Sequence, residues 1–285
     1  MNKNNEIDIG SEVERTVEHA WLFDVDGVIT NPQEKKNTEP EIIEQIIRSL
    51  ELGEPVALVT GRSTAWLKER VLAPILQKMV DKSKLPNLFV LAEKGGCSIT
   101  FDEKGQPHET IDESLKVSQP LKREIEEVIK GQFASNMFVD QSKRTMITIE
   151  MEDRIELDDF KRDQGRFVKV LPSLLAKYNL YTQLRVDPTT IATDIEDKKV
   201  GKAYASSRVL GWLKERNVQP QGFVVVGDSQ SDLDMAKEID RNNFPVKFIY
   251  VGEPQRLRTE DISFPVVTTK SRFEKGTLEY LRGAN

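Results

Sequence analysis

A single cysteine, Cys97, in 285 residues rules out an internal disulfide and fits a reducing compartment. Cys97 is therefore expected to be a small buried hydrophobe. No apolar run is long enough to span a bilayer, and the opening stretch MNKNNEIDIGSEVERTVEHA lacks the continuous apolar segment of a secretion signal. A cytoplasmic location is expected, with residues 1–16 as a loose tail. Internal repeats and low-complexity segments are missing too, which excludes repeat architectures. Positive charge is in deficit: 41 Lys and Arg against 47 Asp and Glu leave a net charge of −6. Neither a phosphate backbone nor anionic lipid would be attracted to that surface, so no nucleic-acid or membrane partner is expected. A small anion would need a locally basic pocket.

With 38% apolar and 31% charged residues, the chain can pack a core under a charged surface. Its length points to two domains. Ala20–Phe23 reads as a short buried strand. PEIIEQIIRSLELG follows as a helix, with Ile42, Ile43, Ile46, Ile47 and Leu50 on one face and Gly53 as its stop. Next come the strand PVALVTG, a second helix from Ser63 to about Val80 disturbed near Pro74, and the strand NLFVLA. Alternating strand and helix predicts a parallel sheet covered on both faces.

From about Gly95 the pattern changes. CSITFDEKG, TMITIEMED, YTQLRVD and TTIATDIE alternate as antiparallel strands do, with helices in QPLKREIEEVIKG and GRFVKVLPSLLAKYN. The parallel pattern returns with the helix GKAYASSRVLGWLKERN, the strand GFVVVG, a further helix, the strands VKFIYVG and FPVV, and a terminal helix. The expected fold is α/β: a Rossmann-like parallel core over residues 1–95 and 195–285, split by an inserted α+β cap domain over residues 96–194.

Three core strands end alike, in WLFDVDG, VALVTG and FVVVGDSQSD, each passing from an apolar run to an acid or hydroxyl beside glycine. In an open parallel sheet such ends gather at the carboxyl edge, where ligands bind. Asp24, Asp26, Thr60 and Asp228 should therefore meet. While the backbone stays extended, Asp24 and Asp26 point the same way, and two acids sharing one spot need a cation between them or a proton on one. A type I′ hairpin at Asp26-Gly27 is disfavoured because Pro32 cuts short the returning strand. An EF-hand loop fails because Gly27 comes too early and position twelve is Lys35. A solvated acidic turn remains the plain alternative. Hard oxygen donors with few rivals suit Mg²⁺, which takes one or two carboxylates, waters and a substrate phosphate. Gly61 and the turn after Thr60, at a helix start, can offer N–H groups to that phosphate. A lysine should complete the charge balance: Lys202 opens a helix, with Lys198 and Lys199 as rivals.

DVDGVIT, LVTGRS, a lysine at a helix start and GDSQSDLDM, in that order, resemble the four motifs of the haloacid dehalogenase-like superfamily of phosphohydrolases. The α+β insertion between the second and third motifs resembles its sugar-phosphatase branch, which includes sucrose-, trehalose- and mannosyl-phosphoglycerate phosphatases, Cof-type phosphatases and phosphomannomutases. The resemblance implies that Asp24 is nucleophile and metal ligand, and that Asp26 is general acid and base as well as a ligand through its carbonyl. It further implies that Thr60 and Lys202 bind phosphate, that Asp228 binds metal, and that Asp232 ligates the metal or supports its shell. Two positions depart from the pattern. Val28 replaces the usual threonine, and the turn after the third strand reads Glu93-Lys94-Gly95-Gly96. The implied activity is a Mg²⁺-dependent phosphatase of a small phosphorylated metabolite, a sugar phosphate above all. A phosphomutase is the nearest rival and a phospho-accepting signalling module a more distant one. Lys143, Arg144 and Arg185 are candidate anion contacts from the cap.

Overall fold

The computed structural model describes residues 14–31 and 39–283. Of the expected tail, residues 1–13 lie outside the described residues, but Arg15 and Thr16 already belong to a strand. Strand β1 runs Arg15–Phe23, nine residues where only Ala20–Phe23 is apolar enough to be expected. Its polar first half is stabilised by partnership: Arg15 pairs with Val218 and the two strands run parallel up to Phe23 against Val226. Helix α1 (Pro40–Glu51) buries the five expected apolar positions.

β2 (Val56–Val59) leads into a helical stretch in three pieces, α2 (Thr64–Leu67), a π turn (Lys68–Leu72) and α3 (Ala73–Lys78). The disturbance expected at Pro74 takes this form. The Ala73 N–H reaches back five residues to the Lys68 carbonyl, and a widened turn gives the proline ring room that a regular helix would not. β3 (Leu88–Ala92) closes the first βαβαβ run.

Here the structure corrects the expected boundary at residue 96. β4 (Cys97–Phe101) pairs antiparallel with β3, and β5 (Pro107–Ile111) pairs antiparallel with β4. Both extend the large sheet. The smaller domain begins after them, with α4 (Gln119–Gln132), β6 (Met137–Val139), β7 (Ile147–Met151), α5 (Leu157–Lys177), β8 (Leu184–Pro188) and β9 (Ala192–Asp197). The chain then resumes the core through α6 (Lys202–Glu215), β10 (Val218–Gly227), α7 (Leu233–Arg241), β11 (Val246–Tyr250), β12 (Val266–Thr268) and α8 (Phe273–Gly283).

Among the described residues the large sheet has eight strands in the order β12-β11-β10-β1-β2-β3-β4-β5, and the small one has four in the order β6-β7-β9-β8. From β12 to β3 every pairing in the large sheet is parallel. One apolar cluster covers each face: Ile42, Ile46 and Val71 pack on Phe23 and Leu58, while Val209, Trp212 and Met235 pack on Leu22 and Val225. Cys97 is fully buried in the first cluster, and burial, then the neighbouring Glu93, pushes its thiol up to about 12. The small sheet buries Ile147, Ile149, Leu184 and Ile195 against Leu121, Phe160 and Phe167 of α4 and α5. Its opposite face is polar. No helix among the described residues is long and apolar enough to cross a membrane.

Candidate active site

β10, β1, β2 and β3 are neighbours, so their carboxyl ends deliver Asp228, Asp24, Thr60 and Glu93 to one edge. The turn after Asp26 is compact. The N–H groups of Val28, Ile29 and Thr30, together with the Thr30 hydroxyl, all converge on the Val25 carbonyl, and the Gly27 N–H returns to Thr30. Val28 and Ile29 are fully buried, so this segment packs into the core and forms no hairpin. Gly27 has φ +77°, and a Cβ there would stand 2.4 Å from Asp228 Oδ2. Glycine is required both for the backbone and for the approach of that carboxylate. Gly27→Ala should therefore cost about 1–3 kcal/mol of stability, read from denaturant unfolding, and should weaken cation binding. A variant as stable as the parent would mean that the turn tolerates a side chain.

Asp24, Asp228 and Asp232 each offer an oxygen within 4.8 Å of the others. Lys202, at the start of α6, places its ammonium 2.6 Å from Asp24 Oδ1, 2.7 Å from Asp232 Oδ1 and 3.0 Å from the Val59 carbonyl. Of the three candidate lysines, Lys202 is thus the one on the carboxylates. Lys198 donates to the Tyr181 carbonyl, and Lys199 lines the cleft. Burial alone would push Lys202 toward its neutral form, yet Asp232 and Asp24 hold it above the ordinary lysine range. Burial raises Asp24, with Asp232 adding to the rise and Lys202 opposing it. Asp228 is raised by burial and again by Asp232. One ammonium does not balance three crowded carboxylates.

Asp232 has both oxygens engaged. Its Oδ2 accepts the N–H groups of Asp228 and Ser229 and the Ser229 hydroxyl, while Oδ1 faces Lys202. It holds the loop that carries Asp228. Asp24 and Asp228, hard oxygens in excess of their counter-charge, fit a divalent cation of the Mg²⁺ kind; the chemistry of the donor set thus agrees with the cofactor expected from the sequence.

Asp26 is the surprise. Its carboxylate lies outside that trio and is clasped by Arg62, with Nε 3.1 Å from both oxygens and the terminal nitrogen 2.8 Å from Oδ1. Thr60 Oγ1 adds a long contact of 3.4 Å to Oδ2. The expectation that Asp24 and Asp26 point the same way held only for an extended backbone; β1 ends at Phe23, before both residues, and Asp26 turns to Arg62 while still lining the same cleft.

The cap contributes through the turn after β3, which the sequence marks as a departure from the family pattern without giving it a role. Glu93 and Lys94 both take the left-handed conformation, with φ 50° and 55°, and send their side chains to different parts of the small domain. Buried Glu93 accepts the N–H groups of Arg144 and Thr145 and the Thr145 hydroxyl. Lys94 lies 3.2, 2.9 and 3.0 Å from carboxylates of Asp187, Asp194 and Glu196. Burial opposes its charge, but Asp194 and Glu196 raise its pKa overall. Of the three cap cations expected to meet an anion, Lys143 and Arg185 have their charged groups engaged elsewhere, and Arg144 is placed by its backbone. Lys143 donates to the Gly61 carbonyl, the Arg144 backbone binds Glu93, and Arg185 is 2.7 Å from Glu196 Oε1 and 2.8 Å from the Val200 carbonyl. Alternation in LRVD and ATDIED was the signal available: Leu184, Val186 and Ile195 join the apolar cluster, which turns Arg185, Asp187, Asp194 and Glu196 to the other face.

Core edge and polar cap face enclose a cleft of about 670 Å³ lined by Asp24, Asp26, Thr60, Gly61, Lys202 and, from the cap, Arg185 and Asp187. A groove of about 690 Å³ beside Trp21, Arg48 and Lys247 is as large, but among the described residues the one cluster of metal-ligand type is the Asp24 trio. The cleft is the candidate site.

No protein-family model matches this chain. No curated protein matches it either. Solved structures do. The C-terminal domain of a C. albicans trehalose-6-phosphate phosphatase aligns with a TM-score of 0.65 at 15% identity, covering 93% of this chain and 90% of that one. A haloacid dehalogenase-like hydrolase from Bacteroides thetaiotaomicron gives 0.63 at 13% identity over 94% and 100%. An Aspergillus fumigatus trehalose-6-phosphate phosphatase gives 0.51 at 17% identity over 94% and 93%. Such coverage takes in both sheets: the chain has the haloacid dehalogenase-like fold, with a Rossmann-like core and an α+β insertion.

Proposed function

We propose that this protein is a Mg²⁺-dependent phosphatase that hydrolyses a small phosphorylated metabolite, a sugar phosphate, through a phosphoryl group carried on Asp24. The observation that carries the reading is the buried Asp24 carboxylate, held 2.6 Å from Lys202 with two further carboxylates beside it, at the floor of a cleft roofed by polar side chains. The neighbours whose printed names include trehalose-6-phosphate phosphatase support the substrate class.

In the first step Asp24 attacks phosphorus in line, forming the aspartyl P–O bond as the bond to the sugar oxygen breaks. Asp26 gives its proton to that departing oxygen. In the second step Asp26 takes a proton from water, which attacks phosphorus, and the aspartyl bond breaks to release phosphate and regenerate Asp24. Lys202 orients the nucleophile and offsets charge on the phosphoryl oxygens, while Thr60 and the Gly61 N–H bind them. A Mg²⁺ held by Asp24, Asp228 and the Asp26 carbonyl, with Asp232 behind them, would bring positive charge to the phosphoryl group. Arg185 and Asp187 from the cap reach the cleft where sugar hydroxyls would lie. The proposed partner is this small substrate alone, with no nucleic acid and no membrane.

Inorganic phosphate release across a panel of phosphorylated sugars and sugar acids tests the reading. One member should release phosphate catalytically; transfer to a second position of the sugar without release would favour a mutase, and inertness toward every member would contradict a phosphatase. Exhaustive chelation should lower the rate more than about a hundredfold, and Mg²⁺ should restore it. Ca²⁺ should bind yet inhibit, because its looser shell does not hold in-line geometry. Full activity after chelation would remove the cation from the mechanism.

A further inference from the structure

Asp26 has no obvious reason to stay in place. Its side chain is 37% exposed and sits on a turn, where a short carboxylate could swing toward water. Arg62 prevents this. A guanidinium is a planar fork, and two-point contact fixes the plane of the carboxylate as well as its position. Arg62 is itself held at both side chain and backbone. Its guanidinium carbon lies 5.0 Å from the Trp66 ring centroid, its N–H donates to Thr60 Oγ1 at 3.1 Å, and its carbonyl accepts the Glu93 N–H at 3.0 Å. The preceding carbonyl, that of Gly61, accepts the ammonium of Lys143, which is 7% exposed and comes from the cap between β6 and β7.

From this geometry we infer that Arg62 is a positioning residue for Asp26, and that Lys143 couples its hold to the seating of the cap. The inference rests on the phosphatase reading. The chain of contacts runs from cap to acid: Lys143 fixes Gly61, the Gly61–Arg62 backbone sets the fork, and the fork sets the carboxylate plane. Thr60 is the weak member at 3.4 Å. A phosphate arriving beside Gly61 draws the Thr60 hydroxyl to itself and leaves Asp26 Oδ2 with one partner fewer than Oδ1, which keeps two Arg62 contacts, so Oδ2 is the oxygen left to carry the proton that the acid delivers. Acid catalysis is thereby assembled only with the cap in place and phosphate bound. LVTGRS is where the sequence carries this residue, yet nothing in its spacing separates Arg62 from a solvated arginine.

The test uses the intact protein with phenyl phosphate and p-nitrophenyl phosphate, which have nearly the same shape but differ in the basicity of the oxygen that leaves. Single-turnover release of phenol or nitrophenol reads the first step alone. Arg62→Ala should lower the phenyl rate about tenfold more than the p-nitrophenyl rate, a part of the hundred- to ten-thousand-fold worth of a placed acid, and millimolar guanidinium ion should restore much of the difference. Arg62→Lys, which keeps charge but not the fork, should show the same skew to a smaller degree and serves where the alanine variant is poorly folded. Lys143→Met should skew the ratio in the same direction, and adding it to Arg62→Ala should not enlarge the skew. Equal fractional losses on both substrates in the Arg62 variants, with the wild type active, overturn the positioning role. An unskewed Lys143→Met overturns the link to the cap. A wild type that cleaves neither ester, nor any member of the phosphorylated sugar panel, instead overturns the phosphatase reading itself.

Discussion

Asp24→Asn is expected to abolish phosphate release, by more than about ten-thousand-fold, while leaving the protein folded. Removal of a covalent nucleophile is among the costliest changes an active site suffers, because the remaining groups no longer have a step to assist. The amide keeps the shape and volume of the acid but is a poor nucleophile. Stability should hold or rise. Asp24 is buried, and Asp232 and Asp228 both disfavour its ionised form, so a neutral side chain relieves repulsion among three acids. Lys202 retains Asp232 at 2.7 Å and is not stranded. Thermal unfolding alongside the phosphate assay separates the two effects. More than a trace of turnover in a folded variant would take the nucleophile's role away from Asp24.

Asp26→Asn should divide the reaction by its leaving group. A sugar alkoxide is strongly basic and departs only with a proton, whereas p-nitrophenolate is stable on its own. Loss of the acid should therefore slow the first step on a sugar phosphate about a hundred- to ten-thousand-fold and the p-nitrophenyl ester far less. Hydrolysis of the phosphoenzyme needs the same residue as base and should slow equally for both. With Asn the clasp to Arg62 is weakened as well, since an amide offers one acceptor oxygen where the carboxylate offers two. Equal fractional losses in the first step would leave Asp26 a structural role.

The carboxyl-edge constellation is legible in the sequence because each part obeys a local rule. Apolar runs that end in Asp24, Thr60 and Asp228 need only a parallel sheet to bring them together, and Lys202 needs only to start the helix that re-enters the core. The boundary of the insertion is not legible. CSITF alternates with period two whether it pairs in the small sheet or, as it does, with β3, since alternation reports a strand and not its partner. The first half of β1 escapes for a related reason: Arg15–His19 is polar but for Val17, and its strand character comes from the long parallel pairing with β10. β6, at three residues, is too short to show any period. Arg62, Glu93 and Lys94 are invisible as functional residues because their importance lies in partners 36 to 102 positions away. The left-handed turn at Glu93-Lys94 is held by tertiary contacts that override the ordinary preference of both residue types.

Acid quench of the protein during turnover of a labelled phosphomonoester, followed by peptide mapping, addresses the central claim directly. Phosphate should be trapped on the peptide containing Asp24 and should be missing from the Asp24→Asn variant treated in the same way. Phosphate trapped on another residue, or a wild type that turns over at full rate with no trapped phosphate under quench conditions that preserve acyl phosphates, would contradict the covalent mechanism.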